Sequence, residues 1–500
     1  MSITEFYEGQ EIFITGGSGF IGKVLIEKIL RSLPKIAKVY ILLRSKKGKN
    51  ANERLEDILQ IPLFKYVREE QPEALKKLVP IDGDCQELGL AISSVDLEKL
   101  QNVSMIFHVA ATVRFDDDMK TSILLNTRGT LEMLKLAQQL PQLKAFVHVS
   151  TTYSHPDLNE VDEKIYPPYF DWRTAIKIAE TYDQQTLNIF LRKFCPEHPN
   201  SYTFSKSLAE HIVDDYRDKL PVVILRPSIV VSSYREPFSG WIDNFNGPVG
   251  LLVACGLGVM RTNHSEPDIK PDIVPVDIVA KALLVAGYKL AKDNNAKLMS
   301  NNDESKLEIY NCCASSKRVL SVGNIIDIGK EIIFELPYEK SIWLPEGSAT
   351  RCGLWHYWRL FTLQLIPAII LDGLIRLAGE PPVLLRIQRR IQSTSQILQV
   401  FTNTEWQFNN GNLKSLENLI EENERSTFTF MDFYDTDMTQ YLLNCAKGAR
   451  KFLLKEGPTP SSGARFRMRI FKIVHYTIIY VGLYYIVKNV LNILYRMLFK

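Results

Sequence analysis

The segment Thr15-Gly-Gly-Ser-Gly-Phe-Ile-Gly22 constrains the fold of this chain more than any other. It follows a short β-branched run and opens an amphipathic helical pattern, with glycines at 16, 19 and 22. In such a loop the first glycine permits a tight turn and the second a close backbone approach to a diphosphate. The third lets helix and strand pack closely. The first N–H groups of the helix lack partners within it and attract negative charge. The pattern predicts a dinucleotide site at Gly16, Ser18, Gly19, Phe20, Ile21 and Gly22.

Downstream, candidate strands at Glu11–Thr15, Lys38–Arg44, Leu78–Asp84, Ser104–Ala110, Ala145–Ser150 and Val222–Leu225 alternate with helical spacing, as in Lys23–Leu30 and Leu124–Leu136. This alternation predicts a parallel sheet covered on both faces, a doubly wound α/β fold. A chain of 500 residues exceeds one ordinary domain. The expected division is a catalytic domain over 1–345, with substrate-pocket elements in 230–345, a helical domain over 346–455, and a linker with a hydrophobic tail over 456–500. The net charge of +3 and the absence of a long basic run argue against nucleic acid as a partner. Seven cysteines, an odd number without a Cys-x-x-Cys pair, predict reduced thiols in a cytosol-facing domain and no metal site. Met1–Gln10 carries two glutamates and no signal-like apolar core, so secretion is not expected.

The end of the second strand normally selects the cofactor, an acid there binding the ribose hydroxyl of NAD. Here the strand ends Leu43-Arg44, with Lys46 and Lys47 following. A guanidinium matches a 2′-phosphate in charge and planar geometry, so NADPH is expected. Tyr202-Thr-Phe-Ser-Lys206 begins a helical stretch and puts phenol and ammonium on one face. A lysine beside a phenol is expected to lower its pKa and ready it for proton exchange with a carbonyl. The same spacing at Tyr288/Lys292 and Tyr484/Lys488 reads as surface and tail. What singles out Tyr202 is the order of features. Ala145–Ser150 ends at the ligand edge of the predicted sheet, where Thr151 can polarise a carbonyl, with Ser150 the neighbouring candidate and Thr152 a further hydroxyl. His108 and His148, inside strands, read as packed core residues.

After the linker Glu456–Gly463, Ile473–Val487 carries no charged side chain and is rich in tyrosine. It is shorter than the ~20 residues a span needs, and extension to Tyr495 takes in Lys488. Membrane attachment is expected, spanning or interfacial. Phe361–Leu371, interrupted by Pro367, reads as a buried or interfacial hairpin.

Several segments resemble the extended short-chain dehydrogenase/reductase superfamily: Phe107–Met119 (FHVAATVRFDDDM), Asn126–Thr130 (NTRGT), Phe146–His155, Ser201–Glu210 and Leu225–Val230. Gly240–Gly250 (GWIDNFNGPVG), Pro367–Pro382 and Thr402–Phe408 (TNTEWQF) resemble its alcohol-forming fatty acyl-CoA reductases in particular. That resemblance implies a Rossmann domain in which Thr151, Tyr202 and Lys206 are catalytic. It implies Arg44 at the 2′-phosphate, Asp84 and Cys85 beside adenine, Ala110 and Ala111 along the cleft, and Pro227, Ser228 and Ile229 toward the nicotinamide. Asp277 is implied to be structural. The expected reaction takes a long-chain fatty acyl-CoA through hemithioacetal and aldehyde to a primary alcohol with two NADPH. A dehydrogenase of a sterol or sugar-nucleotide alcohol, and a non-catalytic cofactor-binding scaffold at a membrane, are the competing readings. Thr152 departs from the small apolar residue expected there. Endoplasmic reticulum and peroxisome both stay open, since Phe499-Lys500 is not a Ser-Lys-Leu ending.

Overall fold

A computed structural model describes every residue except 47, 116, 195, 301–306, 315–319 and 499–500, and omits the side chains of 190–192, 194 and 295–300. Lys47, Asp116, Phe499 and Lys500, used above, lie outside the described residues. By contacts the chain divides into two units. The first comprises Met1–Asp243, Lys270–Val319 and Thr404–Asp437; the second comprises Asn244–Ile269, Leu320–Asn403 and Met438–Lys500.

The first unit is built on seven parallel strands: β1 Glu11–Thr15, β2 Lys38–Leu43, β3 Leu78–Asp82, β4 Met105–His108, β5 Ala145–Val149, β6 Val222–Pro227 and β7 Glu308–Cys312. Their spatial order is β7-β6-β5-β4-β1-β2-β3, so the chain reverses direction across the sheet between β1 and β4. Such a switch point leaves a crevice at the carboxyl ends of the strands. β4 and β5 are buried along their whole length, as expected for strands covered on both faces. Helix α1, Phe20–Ser32, follows the glycine loop; α2, Ser201–Asp215, precedes β6; and α3, Val276–Ser300, precedes β7. The doubly wound fold is as the residue pattern predicts.

Two readings change here, and the contact units are cut differently from the expected domains. β7 went unread, because five residues between loops carry little periodicity. Tyr288 is not a surface residue: it is buried on α3 and donates to the Met1 carbonyl at 2.7 Å. The boundaries drawn at 345 and 455 do not coincide with the contact units. Thr404–Asp437 return to the first one, where Gln407–Phe408 pairs with Glu160–Val161 and Glu424 accepts from the N–H groups of Ile3 and Thr4. Such pairings have no local periodicity.

In the second unit, α4 spans Gly353–Leu377, α5 spans Leu384–Asn403, and α6 spans Ser462–Leu498. Pro367 does not break α4. It sits in the first turn after a wide π-type turn at Phe361–Leu365, where its missing N–H matters little. α4 and α6 are each long and apolar enough to cross a membrane.

Candidate active site

The glycine loop is shaped by close approach. Gly16 has a φ of +73°, and a Cβ there would lie 2.6 Å from the Ala110 amide nitrogen. A Cβ on Gly22 would run into the Gly16 carbonyl. The N–H of Gly19 closes the turn on that carbonyl at 2.8 Å, and Gly19 caps α1 without a side chain. The opening N–H groups of α1, at Phe20, Ile21 and Gly22, are therefore left for an anion. Thr15 Oγ1 accepts from the Ala110 N–H at 3.2 Å and lies 2.8 Å from His108 Nδ1, tying β1 to the exit of β4. Ala110 and Ala111 line this edge. His108 and His148 are fully buried and stacked 5.5 Å apart, and burial holds both imidazoles neutral. They are core residues.

Arg44 follows β2 with its side chain 45% exposed, 3.5 Å from Asp84 beyond β3. Arg54 donates to the Arg44 carbonyl, and the two guanidiniums lie close enough for each to feel the other's charge. Cys85 is buried, its thiol pushed up to about 12, which leaves it a packed neutral group. At the other end of the crevice the Ser228 N–H donates to the Cys312 carbonyl at 3.0 Å, holding Pro227–Ile229 against the end of β7. Asp277 accepts from the N–H groups of Tyr234, Arg235 and Glu236 at 2.7–3.0 Å and so pins a turn.

Tyr202, Lys206 and Glu210 lie one above another on α2. The Asn200 side chain caps the helix by accepting from the Thr203 N–H at 2.9 Å. Lys206 donates to the Val149 carbonyl at 2.7 Å, which fixes the ammonium at the end of β5. Burial brings its pKa down to about 8, while the carboxylate of Glu210 works against that fall. Burial pushes the Tyr202 phenol up to about 12, with a hydrogen bond to Thr151 acting in the opposite sense. The lowered phenol expected from the lysine spacing is thus overturned: desolvation outweighs, and Tyr202 is a neutral donor. Among the three adjacent hydroxyls, Thr151 is the one whose side chain acts on the phenol. The side-chain hydroxyls of Ser150 and Thr152 are buried with no hydrogen-bond partner among the described residues.

Two features escaped the sequence reading. Asn126, buried in a π-type turn at Ile123–Arg128, accepts from the Thr112 N–H at 2.9 Å and donates to Ser205 at 2.9 Å. It fastens the loop after β4 to α2. The signal was present in the Asn126–Thr130 motif, since asparagine is a poor mid-helix residue. Second, Arg226 is fully buried, bidentate to Glu210 at 2.7 and 2.8 Å, and also donates to the Asp162 and Lys164 carbonyls. Arginine on a strand of continuous burial was the clue.

A family model described as a male sterility protein, of NAD-binding type, matches residues 14–283, and a second of the same description matches 363–456. The chain is 35% identical over 94% of its length to the fatty acyl-CoA reductase Wat of Drosophila melanogaster, covering 89% of that protein. The chain belongs to the fatty acyl-CoA reductase family. Fatty acyl-CoA reductase 1 of Rattus norvegicus is likewise 35% identical, over 95% of this chain and 91% of the relative. In fold, the reductase resembles the reductase domain of a non-ribosomal peptide synthetase from Mycobacterium tuberculosis, with a TM-score of 0.58, 18% identity, and 90% and 92% of the two chains covered. The terminal R domain of the myxalamid pathway gives 0.57, with 90% and 93% covered at the same identity. The reductase carries a nicotinamide-cofactor-binding domain.

Proposed function

We propose that this reductase converts a long-chain fatty acyl-CoA to a primary alcohol with NADPH, at the face of a membrane to which α6 attaches it. The feature that supports the chemistry is the placement of Thr151, Tyr202 and Lys206 at the end of β5, where Lys206 donates to the Val149 carbonyl at 2.7 Å and the Thr151 hydroxyl acts on the phenol. NADPH fits the residues present: the glycine cradle leaves no room for a Cβ, and Arg44 with Arg54 forms a cationic edge suited to a 2′-phosphate. Ser18, Asp84, Cys85, Ala110, Ala111 and Pro227–Ile229 would border the rest of the cofactor. Bound NADPH supplies one hydride to the thioester carbon and, in a second round, another to the aldehyde.

Thr151 and Tyr202 hold the substrate oxygen by hydrogen bonds that strengthen as negative charge develops on it. Tyr202 gives up its proton to that oxygen, and Lys206, charged below about pH 8, stabilises the phenolate left behind. In the first round the resulting hemithioacetal expels CoA as the thiol. In the second the protonated product is the alcohol.

Attachment through α6 rests on its surface. From Tyr476 to Leu498 every described residue is exposed, and Lys488 and Arg496 are the charged ones. At roughly 1.5 Å per residue its 37 residues exceed the hydrocarbon thickness. The membrane is that of the endoplasmic reticulum or the peroxisome, with the catalytic domain toward the cytosol.

The test is product analysis: full-length protein in membranes lacking such activity, given NADPH and acyl-CoAs of graded length. Fatty alcohol that disappears in Tyr202→Phe, with NADPH binding kept, is the expected result. Absence of both alcohol and aldehyde while NADPH binds would overturn the assignment.

A further inference from the structure

The helix α4 is inside-out. Its buried stripe comprises His356, Leu360, Gln364, Ala368 and Asp372, four residues apart at each step. Three of these are polar, and each is bonded within the second unit. His356 Nδ1 lies 3.2 Å from Thr262 Oγ1, and Gln364 accepts from the Arg261 N–H at 3.1 Å. Asp372 accepts from the N–H groups of Val383, Leu384 and Leu385 at 2.9–3.0 Å, capping α5. In an ideal α-helix a strict four-residue repeat drifts by about 40° per step. The π-type turn at Phe361–Leu365 offsets part of that drift and keeps the stripe on one side.

Away from the stripe, α4 presents Leu354, Trp355, Trp358, Phe361, Ile370 and Leu374 to the outside. A soluble helix does the reverse. A continuous apolar face of this kind marks a contact with something apolar, and two tryptophans, stacked 4.9 Å apart, suit the headgroup boundary. A helix crossing the bilayer on its own would carry the polar stripe into lipid unless protein covered it there, and here that cover is the body of the second unit. The next helix, α5, exposes Arg386, Arg389 and Arg390; Arg386 acts on the Asp372 carboxylate, while Arg389 and Arg390 make no ion pair among the described residues. Such a cluster is complementary to anionic headgroups.

We propose that α4 does not span the membrane but lies in one leaflet, its apolar face in lipid and its polar stripe on the protein, with the arginines of α5 at anionic headgroups. This rests on the reading of α6 as the membrane anchor and adds a second, in-plane contact from the same unit. Its occupant is a bilayer containing phosphatidylserine.

Two measurements on the full chain test it. In vesicles of brominated lipid, tryptophan quenching should fall sharply in Trp355→Phe/Trp358→Phe, because α6 carries no tryptophan. Adding Tyr484→Trp to that variant should restore quenching and reports α6 alone. Quenching at Tyr484→Trp with none attributable to Trp355 and Trp358 overturns the in-plane contact and leaves the anchor standing, whereas the opposite pattern overturns the anchor alone. Loss of both removes both. In sealed microsomes an impermeant maleimide should reach Cys352 and Glu380→Cys from the same side, with Cys352→Ser as the reference. Labelling of one end only would make α4 a span and overturn the proposal. A self-association that shields Trp355 and Trp358 from brominated lipid would also overturn it.

Discussion

Helices α2 and α4 both bury a polar stripe at four-residue spacing, yet they are opposite in what surrounds it. On α2, buried Lys206 and Glu210 and half-buried Tyr202 are set among buried Phe204, Leu208, Ile212 and Val213, so the stripe shares the inside with apolar residues. On α4 the polar stripe is the inside and the apolar residues face out. Buried polarity alone therefore does not identify a reactive site. Proton affinities move on both helices, but in α2 Tyr202 and Lys206 stand at the end of β5 beside Thr151, whereas in α4 the polar residues are taken up by hydrogen bonds within the second unit. Perturbed proton affinity together with an open partner such as Thr151 marks the chemistry.

The largest expected effect probes how strictly α2 depends on its buried charges. Arg226→Met strands the Glu210 carboxylate and two carbonyls, and should lower unfolding stability by about 3–5 kcal/mol. Arg389→Met, at an exposed arginine of α5, should stay within about 0.5 kcal/mol. Urea midpoints in detergent compare the two, and equal losses would erase the distinction drawn here. Next, Thr151→Val should lower kcat by about 10²–10³-fold, the scale of one lost oxyanion donor. Thr152→Val, whose hydroxyl bonds nothing among the described residues, should leave kcat near the parent value. If the two effects were exchanged, Thr152 would be the hydroxyl that matters.

Arg44→Asp should weaken NADPH relative to NADH by about 10–100-fold, the scale of a charge-assisted hydrogen bond. Equal losses for both cofactors would remove the 2′-phosphate role. Smaller is a pH effect with a defined sign. Activity should fall as pH rises through about 8, where Lys206 loses its proton and no longer supports the phenolate. Glu210 holds the Lys206 pKa up, so Glu210→Gln should move that alkaline limb to lower pH. A limb that stays put, in a variant shown to be folded by its melting curve, would confine Glu210 to packing.

The contrast also explains what could be read in advance. Strands β1 to β6, the glycine loop and the Tyr202–Lys206 spacing are local patterns whose periods announce their elements. The direction of the Tyr202 shift was misread because spacing shows the lysine but not the desolvation around the phenol, which dominates. The hydroxyl next to the phenol was assigned to Thr151 with Ser150 as its neighbouring candidate, and which of them turns toward α2 depends on how the chain leaves β5, which no local pattern shows. The return of Gln407–Phe408 to Glu160–Val161 was invisible for the same reason: partners 247 residues apart share no sequence signal. For α4, the apolar residues of Phe361–Leu371 are plain in sequence, but not that Gln364 and Asp372 are the ones turned inward.

The smallest expected effect tests the comparison most directly, because it predicts almost nothing where a large residue is removed. Leu354 is 85% exposed on α4 and Leu208 is 1% exposed on α2. Leu208→Ala leaves a cavity in a packed interior and should lower stability by about 2–5 kcal/mol. Leu354→Ser removes a side chain that touches little protein, so in detergent its urea midpoint should move by no more than about 0.5 kcal/mol equivalent. The same substitution takes apolar surface out of a lipid contact, so it should weaken vesicle binding even though the fold is unchanged. A stability loss in detergent as large as that of Leu208→Ala would mean that Leu354 is packed against protein, and the outward face of α4 would then be part of a core rather than a surface.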